Sequence, residues 1–388
     1  MSKGRQEQFA NKDFCNTPSR RTARLWLLFS FLNLLPASLL YAQTDWKKEW
    51  EKTVEAAKRE GQVSIYISGY TPVTQAFQQE YPQIKVTVVT APGAQLTARE
   101  LAERRAGKYL VDIHSGGANG SFNVLYKAKA LDPIKPTLIL PEVVDVSKWY
   151  GGKHAFIDPD GKYIFSYVGN AGPGQFTYNT GMVKPDDFKS YWDLTHPKWK
   201  GKIVSLDPSS TGIGATMQFF YFHPELGPEF IKKLYGGMDV TYSKEERLMT
   251  DWLAQGKFAL CIGCQDASRA KLQGLPVDSF DTSLWKEGGS LTSSFGTLSL
   301  VNNAPHPNAA KVFINWYLSR KGQIALQKIG RPADPPNSRR IDIPKDDVPA
   351  DRRFFEDRRY LDVTRPEWQD MAPIFKLVKE TLASSEKK

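Results

Sequence analysis

Residues 61–90 decide the fold class, and they read GQVSIYISGYTPVTQAFQQEYPQIKVTVVT. Residues 63–67 form a short apolar run that predicts a buried strand. Residues 72–81 carry a proline in their first turn and predict a short helix, and residues 84–89 predict a second buried strand. A strand, a helix and a strand in this order are typical of a parallel βαβ unit.

The same alternation extends in both directions along the chain. On the N-terminal side, Trp46, Trp50, Val54 and Ala57 recur at helical spacing, and Gly61 is placed to end that helix. The further predicted strands are 110–114, 163–168, 175–178, 202–206, 258–262 and 295–301. The further predicted helices are 95–106, 122–130, one ending at 222, 244–255, one beginning at 266, 308–318, 321–329 and 367–382.

Two α/β domains are expected, because the chain is too long for one ordinary core. Residues 43–174 are predicted to form the first domain and 175–290 the second. The strand at 295–301 and the helices after it need a core to pack against. If the chain crosses between the domains more than once, these elements return to the first domain. We therefore expect about 291–335 to complete the first domain and about 336–388 to complete the second. The Pro-, Asp- and Arg-rich residues 331–351 are interpreted as an extended segment that crosses between the domains.

The N-terminus has the pattern of a secretory signal peptide. Arg20, Arg21 and Arg24 precede a mostly apolar run at 25–40, which is shorter than the roughly twenty residues that span a bilayer. Cleavage after Ala42 would remove residues 1–42 and place the mature protein in the periplasm. Twin-arginine export and a retained membrane anchor are the open alternatives.

The charge does not favour a nucleic-acid-binding protein. The full chain has a formal net charge of +10, and its first 42 residues hold six basic and two acidic residues, which leaves +6 for the remainder. Opposite charges are interspersed, as in Arg352-Arg353 and Arg358-Arg359 beside acidic residues, which indicates a solvated surface. An anionic ligand remains compatible with this balance.

Two polar loops follow predicted parallel strands. Ligands of such sheets bind outside the carboxyl ends of the strands, so these loops are candidate ligand-binding segments. The predicted ligand-binding residues here are Ser68, Gly69, Tyr70 and Thr71 after the first strand, and Ser115, Gly116, Gly117 and Ala118 after the third. An ordinary turn and a core tyrosine are the alternatives. The glycine-rich loop does not match a dinucleotide-binding motif.

Several stretches in a fixed order carry a family resemblance. They are Ala56-Ala57-Lys58-Arg59-Glu60-Gly61, Val111-Asp112-Ile113, Ala130-Leu131-Asp132-Pro133, Tyr178-Asn179-Thr180, Trp192-Asp193-Leu194, Pro197-Lys198-Trp199-Lys200-Gly201-Lys202-Ile203, and Asn308-Ala309-Ala310-Lys311 through Trp316. Because these stretches occur in this order, the chain resembles the type II periplasmic solute-binding proteins, in the branch that includes the ferric-ion-binding proteins.

The resemblance implies an α/β fold of two lobes, each a mostly parallel sheet flanked by helices, joined by hinge strands. It also implies a small solute captured between the lobes, docking on the permease of an ABC importer, and no catalysis. We expect a monomer without a cofactor, binding a small anionic or zwitterionic solute.

The resemblance points to a third ligand segment in the second lobe. Residues 208–212 match the family's Pro-Thr-Ser-Gly turn, and hydroxyls with free amides at a helix start suit an oxyanion. The residues are Ser209, Ser210, Thr211 and Gly212, with an ordinary helix cap as the alternative. Tyr178, near the expected hinge, is a further candidate that is equally compatible with a core position.

One departure argues against direct iron binding. The ferric-binding relatives place an adjacent tyrosine pair after the strand equivalent to 258–262, whereas this chain has Gln265 and Asp266. Both residues are candidate ligand contacts, and Asp266 would suit a cationic group on a zwitterion. Helix capping by Asp266 is the alternative. The scattered histidines show no metal-binding spacing, so no metal site is predicted.

Cys261 and Cys264 form the Cys-x-x-Cys pair of an exported chain. A structural disulfide, two quiet thiols and a redox-active site all remain open. The last of these defines the alternative function, an exported thiol–disulfide oxidoreductase. Because Cys261 falls inside a predicted buried strand, we favour a structural role.

Overall fold

A computed structural model describes residues 37–172, 176–264, 267–331, 335–349, 352–355 and 357–385 of the chain. The chain divides into two compact units, Met1–Gln43 and Thr44–Lys388, and the fold below is that of the second. The predicted signal peptide lies almost wholly outside the described residues. Within the described ranges, no helix has the length and apolar character needed to cross a membrane.

The described chain alternates helices and strands. The α-helices are α1 (Ala37–Glu60), α2 (Val73–Glu80), α3 (Gly93–Arg105), α4 (Pro141–Val144), α5 (Gly214–Phe222), α6 (Gly227–Gly237), α7 (Glu246–Ala254), α8 (Ala267–Leu272), α9 (Pro307–Leu318), α10 (Arg320–Ala325) and α11 (Ala372–Ser385). The strands are β1 (Gln62–Ile67), β2 (Lys85–Thr90), β3 (Ile113–Gly116), β4 (Leu131–Asp132), β5 (Ile164–Ser166), β6 (Asn170–Ala171), β7 (Phe176–Asn179), β8 (Ile203–Leu206), β9 (Thr241–Ser243), β10 (Leu260–Ile262), β11 (Val277–Ser279), β12 (Gly289–Thr292), β13 (Thr297–Val301) and β14 (Tyr360–Asp362).

Shorter helical turns fill several connections. Two have π geometry, Gly120–Tyr126 and Leu326–Gly330. The 3-10 turns are Lys135–Thr137, Val146–Lys148, Tyr150–Gly152, Pro185–Asp187, Tyr191–Thr195, Pro197–Trp199, Thr211–Ile213, Thr282–Leu284 and Pro366–Trp368.

The first sheet confirms the βαβ prediction and adds a reversed central strand. Its order is β2-β1-β3-β13-β4, with β5 also paired to β13. β1 is parallel to β2 and β3, whereas β13 is antiparallel to β3, β4 and β5. Gly61 ends α1 as predicted: its φ is 72°, and its backbone N–H donates a hydrogen bond of 2.9 Å to the Ala57 carbonyl.

The second sheet has the order β11-β7-β10-β8-β9. β8 is parallel to β9 and β10, and β7 is antiparallel to β10 and β11. Each sheet packs against its own apolar core. The first core includes Ile65, Phe77 and Phe313, and the second includes Val204, Phe220 and Ile374.

A third, three-stranded sheet lies where the chain passes between the two cores. Its order is β14-β12-β6, with β12 antiparallel to β6 and parallel to β14. The chain leaves the first core through β6, returns through β12 and leaves again through β14. These strands are the hinge strands that the resemblance implies.

Part of the late chain packs on the first core. β13 lies in the first sheet, and buried residues of α9 join the first core. Ser338 and Arg340 make isolated bridges to Val168 and Trp149, whereas Val378 of α11 belongs to the second core. Since Thr44–Lys388 forms one compact unit, the domain limits at 174, 290 and 335 remain predictions.

An ion pair between buried Arg339 and partly buried Asp362 fixes the crossing segment to the hinge sheet. Arg339 is 4% exposed, and its Nε donates to the Val168 carbonyl at 2.9 Å. Its Nη2 lies 2.7 Å from Asp362 Oδ2 in β14. Burial opposes ionisation of Asp362, but the Arg339 charge and the Thr364 hydroxyl hold the pKa of that carboxyl below its ordinary value.

Candidate functional site

The loops after β1 and β3 are brought together at one edge of the first sheet. The Ser68 amide donates to the Ser115 carbonyl at 2.9 Å, because β1 and β3 are parallel neighbours. The Ser68 and Ser115 side chains are buried, at 4% and 1% exposure. Ser115 Oγ lies 3.1 Å from the Tyr167 hydroxyl, which also accepts a hydrogen bond from Tyr317. Both serines are therefore enclosed by the protein itself, while Thr71, Gly117 and Ala118 remain partly exposed.

Tyr70 occupies a strained position in this edge. Its φ is 40°, in the left-handed region that side-chain-bearing residues rarely adopt, and it is 3% exposed. Its ring packs edge-on against Tyr167 and Phe295, at centroid distances of 6.4 and 6.2 Å. Strain of this kind persists only where the surroundings enforce it, and it concentrates at functional sites.

The glycines of these loops make room for the protein's own side chains. A Cβ on Gly69 would lie 3.0 Å from the Phe295 ring, and one on Gly116 would lie 3.1 Å from His114 Nε2. A Cβ on Gly117 would lie 3.5 Å from the Ser294 carbonyl oxygen. Close approach by protein groups thus accounts for Gly69 and Gly116 without a ligand.

These contacts reveal a third loop, residues 293–296, that sequence reasoning missed. It connects β12 to β13 and lies against both predicted loops. Ser294 is exposed and has a φ of 47°. The only sequence signal for this loop is weak: Ser293-Ser294-Phe295-Gly296 precedes a strand. The loop reaches the other two loops because β13, from a distant part of the chain, pairs with β3.

The loop after β8 lies at the corresponding edge of the second sheet. Asp207 Oδ1 accepts from both the amide and the hydroxyl of Ser209, at 2.9 and 2.6 Å. Asp207 therefore orders the turn before the helical segment, and the Ser209 hydroxyl is held by the protein itself. Ser210 Oγ is buried and finds no hydrogen-bond partner within the described chain, and Gly212 is exposed at the start of the helical segment. The side chain of Thr211 lies outside the described residues.

The end of β10 reaches the same edge, because β10 is the parallel neighbour of β8. Cys261 and Cys264 are joined by a disulfide, and both are buried, at 1% and 0% exposure. A redox-active cysteine needs an exposed, activated sulfur, so the burial favours the structural interpretation. Gln265 and Asp266 follow this turn but lie outside the described residues.

Tyr178 lies within the second core. It pairs with Leu260 and Asp278 across the sheet, and its ring centroid is 4.5 Å from that of Phe280. It is 6% exposed, and burial raises the pKa of its phenol. The core role that the sequence left open accounts for these contacts, and a ligand role remains a prediction.

A metal centre is not evident in the described part of the chain. No group of three or more His, Cys, Asp or Glu side chains that could hold a metal ion occurs among the described residues. The buried His114–Glu100 and His306–Asp112 pairs, at 3.1 and 2.9 Å, are separate pairs.

The sequence profile of a family described as bacterial extracellular solute-binding protein matches residues 73–354. The chain belongs to this family. The match runs from α2 to the crossing segment, and it includes the second sheet, the hinge strands β6 and β12, and every strand of the first sheet except β1. The protein therefore belongs to a class that binds solutes and does not catalyse reactions.

The individual proteins compared below are at most 24% identical to this chain. An uncharacterized protein of Haemophilus influenzae is 24% identical over 290 residues, which cover 71% of this chain and 78% of that protein. The solved structure of FutA (IdiA) of Trichodesmium, in complex with iron and citrate, has a TM-score of 0.63 at 17% identity over 83% of this chain and 99% of that chain. AfuA of Actinobacillus pleuropneumoniae, with fructose-6-phosphate bound, has a TM-score of 0.58 at 18% identity over 84% and 99%. Iron-bound HitA of Pseudomonas aeruginosa has a TM-score of 0.59 at 16% identity over 82% and 99%.

These likenesses confirm the fold class predicted from the sequence, the two-lobed solute-binding architecture. They do not select a ligand, because two of the similar structures carry iron, one of them with citrate, and the third carries a sugar phosphate. The family places the solute-binding protein among extracellular components that deliver small solutes to ABC importers.

Proposed function

We propose that this solute-binding protein captures a small anionic solute between its two lobes and presents it, as a monomer in the periplasm, to the permease of an ABC importer. The observation that carries the anionic assignment is the same at both sheet edges. Small residues lie at the start of helical segments on both sides: Gly117 and Ala118 come just before the π-helix Gly120–Tyr126, and Gly212 lies in the 3-10 turn Thr211–Ile213 that leads into α5. Helix starts have amide N–H groups without intrahelical partners, which favour negatively charged oxygens.

Ser210 supports the same assignment. Its buried hydroxyl has no partner among the described residues, and a buried hydroxyl without a hydrogen bond destabilises the protein by roughly 1–3 kcal/mol. An oxyanion at the Ser209–Gly212 turn would accept this hydrogen. The predicted lobe-one contacts, Ser68 to Thr71 and Ser115 to Ala118, would then act mainly through their backbone and through Thr71.

A ferric-only ligand is the less favoured candidate. Ferric iron needs hard anionic donors, and this chain has Gln265-Asp266 where ferric-binding relatives have a tyrosine pair. A zwitterion remains compatible, with Asp266 as the residue that the sequence predicts for its cationic group. The signal peptide predicted at residues 1–42 accounts for export.

A thermal-shift screen tests the proposal. The processed protein would first be freed of bound ligand by mild unfolding and refolding, and then titrated with inorganic phosphate, fructose 6-phosphate, citrate, ferric citrate and neutral fructose. A ligand of the native state raises the melting temperature through linkage. We expect a shift with at least one anion and none with fructose, and we expect Ser210→Ala/Thr211→Ala to abolish it.

The outcomes separate the candidates. A shift with ferric citrate but not with citrate would replace the anion by a ferric complex. A shift with neutral fructose alone would refute the anionic assignment, and no shift from a folded, empty protein would refute it for the ligands in the panel.

A further inference from the structure

Ser294 lies exposed in the middle of the first-lobe edge, on the loop between β12 and β13. Its carbonyl faces Gly117, and the neighbouring Phe295 ring lies against Gly69. Both glycines belong to loops predicted to bind the ligand. A solute at these loops therefore lies within reach of Ser294, which no sequence pattern singled out.

The backbone of Ser294 is held in an unfavourable conformation. Its φ of 47° belongs to the left-handed region, which is unfavourable for a residue with a Cβ. Lys129, Asp239 and Asn303 share this feature at other turns. Ser294 differs from these residues because its side chain carries a hydroxyl that is held by a buried side chain, Asn170.

Asn170 orients that hydroxyl. Asn170 Nδ2 donates to Ser294 Oγ at 3.0 Å, and the Asn170 side chain is 5% exposed. Its Oδ1 accepts from the Asn337 backbone amide at 2.7 Å. Because a backbone amide can only donate, the oxygen of Asn170 must face Asn337 and the nitrogen must face Ser294, which fixes the side-chain amide orientation.

Asn337 is fixed in turn. It is 1% exposed, and its Nδ2 donates to the carbonyls of Gly169 and Arg352, at 3.0 and 3.1 Å. The chain of hydrogen bonds therefore begins in the crossing segment, passes through hinge strand β6 and ends at Ser294. With Oγ accepting from Asn170, the hydroxyl hydrogen of Ser294 is left to donate.

We propose that Ser294 is a ligand-binding residue whose hydroxyl donates a hydrogen bond to an acceptor oxygen of the solute, and that Asn170 is the positioning residue that holds it ready. The inference rests on the proposed function and deepens it, since an oriented donor selects a carboxylate or phosphate oxygen and does not accept a cationic group. The two residues are 124 positions apart, and the fold alone brings them together.

The test uses the whole processed protein and the anion that gives the largest thermal shift among inorganic phosphate, fructose 6-phosphate and citrate. Ser294→Ala removes the donor, and we expect it to weaken binding about ten-fold or more, as is usual for a hydrogen bond to a charged group. Ser294→Gly also removes the donor but relieves the strained φ, so it should lose the same affinity while melting at a higher temperature. Asn303→Gly, at a φ of 56° on an exposed turn, is the matched control, which should gain stability and keep its affinity.

Asn170→Asp tests the positioning role. The carboxylate still accepts from the Asn337 amide, but it also accepts the Ser294 hydrogen, so the donor is turned away from the solute. We expect an affinity loss at least as large as that of Ser294→Ala at neutral pH. Protonation of the new carboxyl would restore a donor toward Ser294 Oγ, so the affinity relative to wild type should recover as the pH falls, a recovery that a merely structural role would not produce.

The outcomes distinguish the inference from the proposed function. If the wild-type protein binds an anion and both Ser294 variants bind it equally well, the inference is wrong and the proposed function stands. If Asn170→Asp loses affinity without any recovery at low pH, the positioning role is wrong. If the folded, empty wild type binds none of the three anions, the proposed function fails and the inference fails with it.

Discussion

The side-chain amide of Asn123 donates a hydrogen bond of 3.1 Å to the backbone carbonyl of Gln369. Asn123 lies in the π-helix that follows β3 of the first sheet, whereas Gln369 lies beside Trp368 of the second core. This bond therefore joins the two lobes directly, a short distance along the chain from the predicted ligand loop at Ser115 to Ala118. A π-helix is uncommon and often marks a functional segment.

Asn123→Ala should shift the free protein toward a more open arrangement. A net contribution of about 1 kcal/mol for one hydrogen bond corresponds to a roughly five-fold change in the closed-to-open ratio. We expect a larger radius of gyration by small-angle scattering, and ligand affinity lowered by up to the same factor. Asn303→Ala, on an exposed turn, is the control. An unchanged scattering curve together with unchanged affinity would contradict this role.

Gly116→Ala should destabilise the protein. The added Cβ would lie 3.1 Å from His114 Nε2, and His114 is itself held by buried Glu100. Overpacking of this kind costs about 1–3 kcal/mol, which urea denaturation would measure. Gly237→Ala, at the exposed end of α6 with no atom within 4 Å of the new Cβ, should be neutral or stabilising. If Gly116 serves only to admit a ligand, the variant would instead keep its stability and lose only binding.

Lys345 makes the stability of the crossing segment depend on pH. Burial lowers its pKa to about 7, with Asp342 opposing the shift, while its Nζ donates to the Ser338 carbonyl at 2.6 Å. The unfolded chain keeps this lysine protonated up to its ordinary pKa, so between about pH 7 and pH 10 the unfolded state binds more protons. Stability contributed by Lys345 is therefore lowest below pH 7 and rises as the pH increases through this window.

Urea denaturation of wild type and Lys345→Met from pH 6 to pH 10 would measure this effect. The difference in unfolding free energy, wild type minus variant, should be constant below pH 7 and increase above it. Lys321→Met, which removes an exposed lysine paired with Glu80, should show no such increase. A pH-independent difference for Lys345→Met would refute the prediction.

Replacing both cysteines by alanine should lower stability and leave ligand binding intact. A disulfide that closes so short a loop stabilises the native state by about 2 kcal/mol in the chain-entropy account. The measurement is a thermal melt of the Cys261→Ala/Cys264→Ala protein with and without its ligand. The sulfur atoms are buried within the second core, so no substrate reaches them. Reductase activity in wild type that disappears in this variant would revive the oxidoreductase alternative.

The sequence predicted the elements with strong periodicity and missed those without it. The strands at 63–67 and 84–89 were placed within one residue of β1 and β2. The strand at 110–114 begins later, at Ile113, and the helix at 367–382 begins only at Ala372. Helix α6 was missed although Phe230, Ile231, Leu234 and Tyr235 recur at helical spacing and are buried.

The hydrophobic periodicity of the sequence could not predict strand direction or contacts between distant parts of the chain. An apolar run carries no sign of whether a strand is parallel or antiparallel, so the reversed position of β13 was not anticipated. The candidate loops at 68–71 and 115–118 were found because they follow parallel strands. Ser294 and Asn170 were not found, because their relationship arises from two passes of the chain through the hinge sheet.

The place of β13 also governs the order in which the protein folds. Thr297–Val301 is the central partner of β3, β4 and β5, yet it is made after the entire second sheet. A nascent chain that ends before residue 297 lacks the strand that closes its first sheet, so its N-terminal third exposes unpaired edges and cannot complete its core. The first sheet therefore cannot be completed until the whole of the second sheet has been synthesised.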